Sequence, residues 1–352
     1  MKFGLHYQLP CSPSQSPVQR YRDTIEQAIH AERLGFESIW PVEQHFNADF
    51  SILPSPLLLL ASVAARTTTL RLGIAIILLP LSHPVRVAED VATLDVLSNG
   101  RVEFGIGRGV FPTHFAGFGI PQTESRERLL ENLHVILQAW TKERFSFHGR
   151  FFEVEDLSVV PKPVQQPHPP ILVAANTVET YEQMGKLGYA ILTASQISTY
   201  PKLRELIPLY RQAREAAGHS PARPEDITLL SPTYVATDAA QVRREVEPSI
   251  KHFLQSLIDA FPAGGDGKGG SNKLLQEAAD RLRKTTYEQV NQVMGIFETP
   301  DVCVERIKKL QEEFNMGRML CWFNPGGQVP HVQVMHSMEL FAAKVMPHFT
   351  FS

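Results

Sequence analysis

Apolar and polar positions along the chain fall into two alternating regimes. Short, nearly continuous apolar runs read as strands buried on both faces, and longer stretches with apolar side chains at helical spacing separate them. The runs Phe3–Tyr7, Phe36–Trp40, Leu72–Leu79, Val102–Ile106, Ile171–Ala174, Tyr189–Thr193, Ile227–Ala236 and Met319–Phe323 predict eight strands. Helical spacing over Val18–Leu34, Ser55–Ala65, Val85–Leu97, Glu124–Trp140, Val178–Leu187, Tyr200–Ala217, Ala239–Ala260, Lys273–Arg283, Val302–Phe314 and Val332–Val345 predicts the helices. Gly35 and Gly188 stand where C-terminal caps belong, and Asn99-Gly100 stops the helix before the fourth strand. The stretch Phe145–Val160 alternates aromatic and polar residues around His148-Gly149, which predicts a hairpin laid over the main body. Lys162–Pro170 (KPVQQPHPP) reads as an extended connector, and Phe261–Asn272 (FPAGGDGKGGSN) as a mobile glycine-rich segment.

Strands alternating with helices imply a parallel sheet with crossover helices. Eight such units in 352 residues favour an α/β fold of the (β/α)8 (TIM) barrel type with insertions, a single domain over residues 1–352. A doubly wound open sheet is the alternative architecture.

Composition narrows the function more than the fold. With 34 Lys+Arg against 37 Asp+Glu, the net charge of -3 is scattered in sign and suggests neither a nucleic-acid groove nor an anionic membrane surface. No apolar run reaches the roughly 20 residues of a spanning helix, and the amino terminus lacks the apolar core of a secretion signal, so a cytoplasmic protein is expected. The three cysteines, Cys11, Cys303 and Cys321, are too far apart in sequence to suggest a disulfide framework or a thiolate metal cage. Histidines show no HxH or HExxH spacing, no GxSxG elbow is present, and no glycine-rich dinucleotide fingerprint follows a strand.

In a parallel barrel the ligand lies at the carboxyl ends of the strands. Arg108 falls just past the fourth strand, between Gly107 and Gly109, as a candidate anion clamp. Arg126 opens the next helix, and Asn176-Thr177 stands between a strand and a helix start, where free N–H groups and the helix dipole favour a phosphate. Together these residues make a candidate phosphate cradle; helix capping and a solvated arginine are the plainer reading. Glu43-Gln44-His45-Phe46 lies beyond the second strand, where a histidine could donate to a ligand, shuttle a proton or cap a loop. His6, Tyr7, Trp40, Phe46, Phe111, Phe115, Trp322 and Phe323 near strand ends could wall an apolar pocket or serve as ordinary core.

Several motifs recur in a fixed order: W-x-x-E-x-H-F (Trp40–Phe46), LP-x-x-HPVR-x-AED (Leu79–Asp90), LD-x-x-S-x-GR (Leu94–Arg101) and FGI-x-RG (Phe104–Gly109), followed by Ser125-Arg126. In this order the chain resembles the bacterial luciferase-like flavin monooxygenases, most of all their luciferase α subunits. The resemblance implies a barrel that binds reduced FMN and O2, forms a flavin C4a-hydroperoxide and oxygenates an apolar organic substrate such as an aldehyde. It implies that Arg108 and Arg126 hold the FMN phosphate with Asn176 and Thr177, and that Ala75-Ile76 forms a non-proline cis peptide beneath the flavin ring. It places His45 in the flavin-side pocket, with Glu43 orienting that loop, and makes the segment after Ala260 (residues 261–290) a mobile active-site lid. It also implies a separate NAD(P)H:flavin reductase as partner, and a homodimer through roughly Pro54–Ala65 and Pro84–Leu97.

Two departures matter. The luciferase α subunit has a His-His pair where this chain has Gln44-His45, and Gln44 cannot take up a proton near neutral pH. The cysteine of the luciferase FGICRG motif is Gly107 here, which is expected to leave more room above the ring. Related barrels carry a hydride on deazaflavin F420, which makes an F420-dependent oxidoreductase one alternative. A non-catalytic flavin-binding partner subunit is the other.

Overall fold

A computed structural model describes residues 1–260 and 282–349. The strands, in chain order, are β1 (Lys2–Tyr7), β2 (Ser38–Pro41), β3 (Arg71–Gly73), β4 (Ile77–Leu78), β5 (Val102–Gly107), β6 (Phe145–His148), β7 (Glu153–Leu157), β8 (Ile171–Ala174), β9 (Ala190–Ala194), β10 (Ile227–Val235), β11 (Ile296–Glu298) and β12 (Arg318–Trp322). Eight of them form a parallel ring in the order β1-β2-β3-β5-β8-β9-β10-β12, which closes because β12 pairs with both β10 and β1. The closure makes this a (β/α)8 barrel and rules out the open doubly wound sheet. The β6-β7 hairpin lies outside the ring, antiparallel, where the aromatic–polar alternation predicts it.

The helices that position the site are α1 (Pro17–Leu34), α2 (Pro56–Ala64), α3 (Pro84–Leu97), α4 (Pro112–Phe118), α5 (Ser125–Thr141) and α6 (Val178–Leu187). Four of these begin on proline, whose fixed φ and missing N–H suit the first helical turn. The turn at Asn99 (φ 54°) and Gly100 (φ 81°) ends α3. Asp95, fully buried on α3, accepts from Gln165 N (3.0 Å) and Gln165 Nε2 (2.7 Å), so it ties the proline-rich connector to the barrel. Arg101 donates to Ser98 O, Thr67 Oγ1, Leu70 O and Ala64 O. The LD-x-x-S-x-GR motif is therefore a structural clasp on the barrel wall.

The expected strand Leu72–Leu79 is broken in two. Ile74 N still donates to Glu103 O (3.2 Å) and Ala75 N to Pro41 O (3.0 Å), and the Ala75–Ile76 peptide bond is cis. The break presses into β5. A Cβ on Gly105 would sit 1.8 Å from Ile74 O, and one on Gly107 would sit 1.9 Å from Ile76 Cδ1. Glycines at alternate positions of β5 lie on one face, and that face receives the displaced segment. The space a side chain at position 107 would take is occupied by Ile76.

The barrel interior is closed at the amino ends of the strands by charge. Arg318 donates to Glu37 (2.9 Å) and Glu103 (2.7 Å), Glu103 also takes Arg71 (2.6 Å), and Lys2 meets Glu37 (2.8 Å). Trp40, fully buried, lies above this cluster, with the Arg318 guanidinium 5.2 Å from its ring centroid and its Nε1–H on Ser38 Oγ at 2.8 Å. Gly73 provides the room, since a Cβ there would meet the indole at 2.1 Å. Besides short 3-10 turns, three described elements escape the sequence reading: α4, Tyr287–Val293 and β11. The first is interrupted by Gly117 and bounded by Pro112, and the last is three residues long, so neither carries a measurable period. The expected lid (261–290) and the expected helix Lys273–Arg283 fall largely on residues 261–281, outside the described residues; residues 287–290 belong to the helix Tyr287–Val293.

Candidate active site

The carboxyl ends of β1, β2, β3, β5 and β8 carry the candidate residues into one rim. Past β2, Glu43 is buried and uses both carboxylate oxygens. Oε1 accepts from His45 Nε2 at 2.9 Å, and Oε2 accepts from the Leu78 backbone N–H at 2.9 Å. Leu78 lies just beyond the cis peptide, so Glu43 joins the His45 loop to the broken strand. With Nε2–H committed to Glu43, a neutral His45 ring presents Nδ1 as an acceptor. The Gln44 side-chain amide makes no hydrogen bond with a described residue, while its backbone N–H is held by Leu53 O at 2.9 Å.

A second histidine, which the sequence reading misses, meets this loop. His114 on α4 accepts from the His45 backbone N–H at its Nε2 (3.3 Å), and the two rings are edge-to-face at 5.4 Å. Burial, then the neighbouring His45, pushes the His114 imidazole down to about 4. Its Nδ1 is buried without a partner among the described residues. Phe118 at the end of α4 packs on His45 at 4.9 Å and is half-exposed. Phe46, at φ 61°, turns its ring out over Gly117, where a Cβ would clash at 2.2 Å. Phe46, Phe118 and Val110 form the exposed apolar part of the rim.

The aromatic residues expected as a pocket wall divide into two groups. Trp40 fills the barrel, Phe115 joins Leu78 and Leu81 in a small core, and Phe323 packs on Phe36 and Phe341 behind the barrel. His6, at the end of β1, remains inside, edge-to-face with Trp322 at 5.4 Å, and Trp322 in turn meets Phe253 at 5.1 Å. Burial pushes the His6 imidazole down to about 3, so it is neutral at physiological pH.

Two arginines share one corner of the rim. Arg108 is half-buried past β5, followed by Gly109 at φ 80°, a conformation that glycine supplies without strain. Burial lowers the proton affinity of its guanidinium first, and the Arg126 charge lowers it further, while Glu179 opposes them. The two cations are therefore near enough to repel each other. The Arg108 guanidinium makes no hydrogen bond or ion pair with a described residue. Arg126 pairs with Glu179 Oε2 at 2.6 Å, and Glu179 lies in the first turn of α6. Thr177 caps that helix, its Oγ1 accepting from Thr180 N at 3.3 Å. The Asn176 side chain makes no hydrogen bond with a described residue. Two guanidiniums within electrostatic reach of each other, one of them part-buried and unpaired among the described residues, beside a helix amino terminus fit a phosphoryl group. The one group that does not fit is the Glu179 carboxylate.

Comparison with known proteins gives the family of the chain. Residues 1–314 match the luciferase-like monooxygenase family. The chain is 27% identical to an alkanal monooxygenase alpha chain from a Kryptophanaron alfredi symbiont, over 99% of this chain and 98% of the other. It is 31% identical to the oxygenase component of a flavin-dependent trigonelline monooxygenase from Acinetobacter baylyi, over 72% of this chain and 71% of the other. The crystal structure of the monooxygenase RslO1 from Streptomyces bottropensis superposes with a TM-score of 0.85 at 28% identity, covering 99% of this chain and all of that one. The chain belongs to the luciferase-like monooxygenase family and is a flavin-dependent monooxygenase.

Proposed function

We propose that this chain is the oxygenase component of a two-component system, binding FMN reduced elsewhere and using O2 to oxygenate an apolar organic substrate. One observation carries the reading: the part-buried Arg108 guanidinium, unpaired among the described residues, within electrostatic reach of Arg126 at the start of α5, which in turn pairs with Glu179 in the first turn of α6. A flavin with a single phosphoryl tail needs such a corner, and riboflavin does not. Bound reduced flavin supplies the electrons that activate O2, with one oxygen atom going to substrate and the other to water.

The residues of this chain supply position and exclusion. Arg108 and Arg126 anchor the phosphate, with Asn176 and Thr177 beside it. The Ala75-Ile76 segment would support the flavin ring. Glu43 fixes the His45 ring through Nε2, which leaves Nδ1 as the ring atom that would hydrogen-bond to bound flavin or substrate. Phe46, Phe118 and Val110 offer an apolar approach for substrate and keep water away. Hydroxylation and Baeyer–Villiger insertion are both open to such a site. A separate NAD(P)H:flavin reductase supplies the reduced cofactor, as the oxygenase-component relative implies by its name.

We place the whole chain, residues 1–352, in one cytoplasmic domain. No described helix is long and apolar enough to cross a membrane. A homodimer through α2 and α3 accounts for the exposure of Leu58, Val96 and Leu97.

Titrating the protein with FMN and riboflavin tests the reading. Tighter binding of FMN, lost in Arg108→Ala, is the expected result; equal binding of both flavins removes the phosphate cradle. Gln44 favours a second reading, a flavin-binding subunit without chemistry of its own, because it stands in place of a titratable side chain. Substrate-dependent incorporation of labelled oxygen from O2 into product rejects that reading. Preferential binding of reduced F420 over reduced FMN would instead point to the hydride-transfer alternative.

A further inference from the structure

We propose that Glu179 is the resident counter-ion of the phosphate cradle: it occupies Arg126 until the phosphate displaces it, and it sets the affinity for FMN. This rests on the FMN reading above. The geometry is specific. Glu179 Oε2 lies 2.6 Å from Arg126 Nη2, across a gap between α5 and α6, and neither side chain has another ion-pair partner among the described residues. Both are open to solvent, 40% for Arg126 and 69% for Glu179, so no packing opposes exchange. Exposed ion pairs are weak and readily replaced.

A phosphate competes well for this corner. It carries more charge than a carboxylate, and its three free oxygens can span two guanidiniums. Glu179 can satisfy one of them and leaves Arg108 without an ion-pair partner among the described residues, although Arg108 feels its charge. After displacement, Glu179 stays in the first turn of α6, where the helix dipole favours an acid. It then stands beside the phosphate with the same sign of charge. Two arginines and one carboxylate leave a net +1 to meet a phosphate of charge near -2. The arrangement suits a flavin that arrives reduced and must leave oxidised in every cycle, because a fully cationic corner would retain it.

The test compares Glu179→Gln with the unaltered protein, reading flavin fluorescence for oxidised FMN and riboflavin at low and high salt. FMN should bind about three- to tenfold more tightly to Glu179→Gln at low salt, with the gain shrinking as salt rises. Riboflavin affinity should not move. Inorganic phosphate should also compete with FMN at a lower concentration in the variant. Unchanged or weaker FMN binding overturns the proposal, since Glu179 would then be neutral or a support for Arg126. An equal shift for both flavins also overturns it. Failure of the cradle itself is read separately, as an Arg108→Ala protein that still prefers FMN over riboflavin, and it takes this proposal down with it.

Discussion

Glu43 and His45 are joined at 2.9 Å, and the same carboxylate holds the Leu78 N–H, so one buried acid fixes a histidine and the strand break together. Glu43→Ala leaves both donors without their acceptor in a buried place, which costs about 1–3 kcal/mol per group. Glu43→Gln retains one acceptor oxygen and presents a donor to the other partner, which pushes His45 toward its opposite tautomer. We expect urea denaturation to show Glu43→Ala destabilised by about 2–4 kcal/mol. For Glu43→Gln we expect turnover to fall about a hundredfold with FMN affinity nearly unchanged. Turnover that survives Glu43→Gln would show that the tautomer of His45 is irrelevant to the reaction.

Arg108 and Arg126 should differ as anchors. Arg108 has no described partner to give up, so its contact with phosphate is a net gain, worth roughly 1.5–3 kcal/mol. Arg126 exchanges one anion for another. We therefore expect Arg108→Ala to weaken FMN binding at least tenfold and Arg126→Ala to weaken it less. Riboflavin titrations should distinguish neither variant from the parent. The reverse order of the two arginines would place the phosphate on the α5 side of the corner.

The barrel was legible because its eight strands are apolar runs broken by caps and turns, and closure follows from counting them. The candidate site was legible where chemistry is concentrated in a motif: Glu43 and His45 in the loop after β2, and Arg108 after β5. What was hidden depends on contacts distant in sequence. Nothing near Glu179 in the sequence reveals that it meets Arg126, fifty-three residues away. His114 sits in a proline- and glycine-bounded stretch that reads as loop, and its role arises from folding back onto His45. A signal for it was present, since a histidine flanked by Phe111, Phe115 and Phe118 at helical spacing marks a short buried turn. The alternation of Gly105 and Gly107 likewise marks a face that must accept something close, but the sequence does not show that the occupant is the displaced Ile74–Ile76 segment.

That pair of glycines should respond unequally to alanine. At Gly105 the obstacle is the Ile74 carbonyl oxygen, 1.8 Å from the new Cβ, and backbone cannot swing aside. At Gly107 it is Ile76 Cδ1, the tip of a flexible side chain. We expect Gly107→Ala to cost about 1–3 kcal/mol and Gly105→Ala more. Adding Ile76→Ala to Gly107→Ala should recover part of that loss, a coupling of about 0.5 kcal/mol or more in a double-mutant cycle. Additive effects would show that Ile76 does not occupy this space in solution.

The buried imidazole of His114 makes stability depend on pH in a definite direction. Burial holds it near 4 in the folded protein, whereas the unfolded chain protonates at about 6.5. Between those values the unfolded state binds more protons than the folded state, so stability rises with pH. The contribution is complete above about pH 6.5 and is lost as pH falls toward 4. At pH 5 this amounts to about 1–2 kcal/mol relative to pH 8. His6, pushed down to about 3, adds a loss of the same sign that extends further into acid. His114→Gln keeps an acceptor for the His45 N–H but does not titrate. Urea denaturation of both proteins at pH 8 and pH 5 separates the two histidines, because His6 is common to both. We expect the parent to lose about 1–2 kcal/mol more than His114→Gln on acidification. An equal loss in the two proteins would mean that His114 is protonated in the folded state at pH 5, and that its ring reaches solvent or an anion.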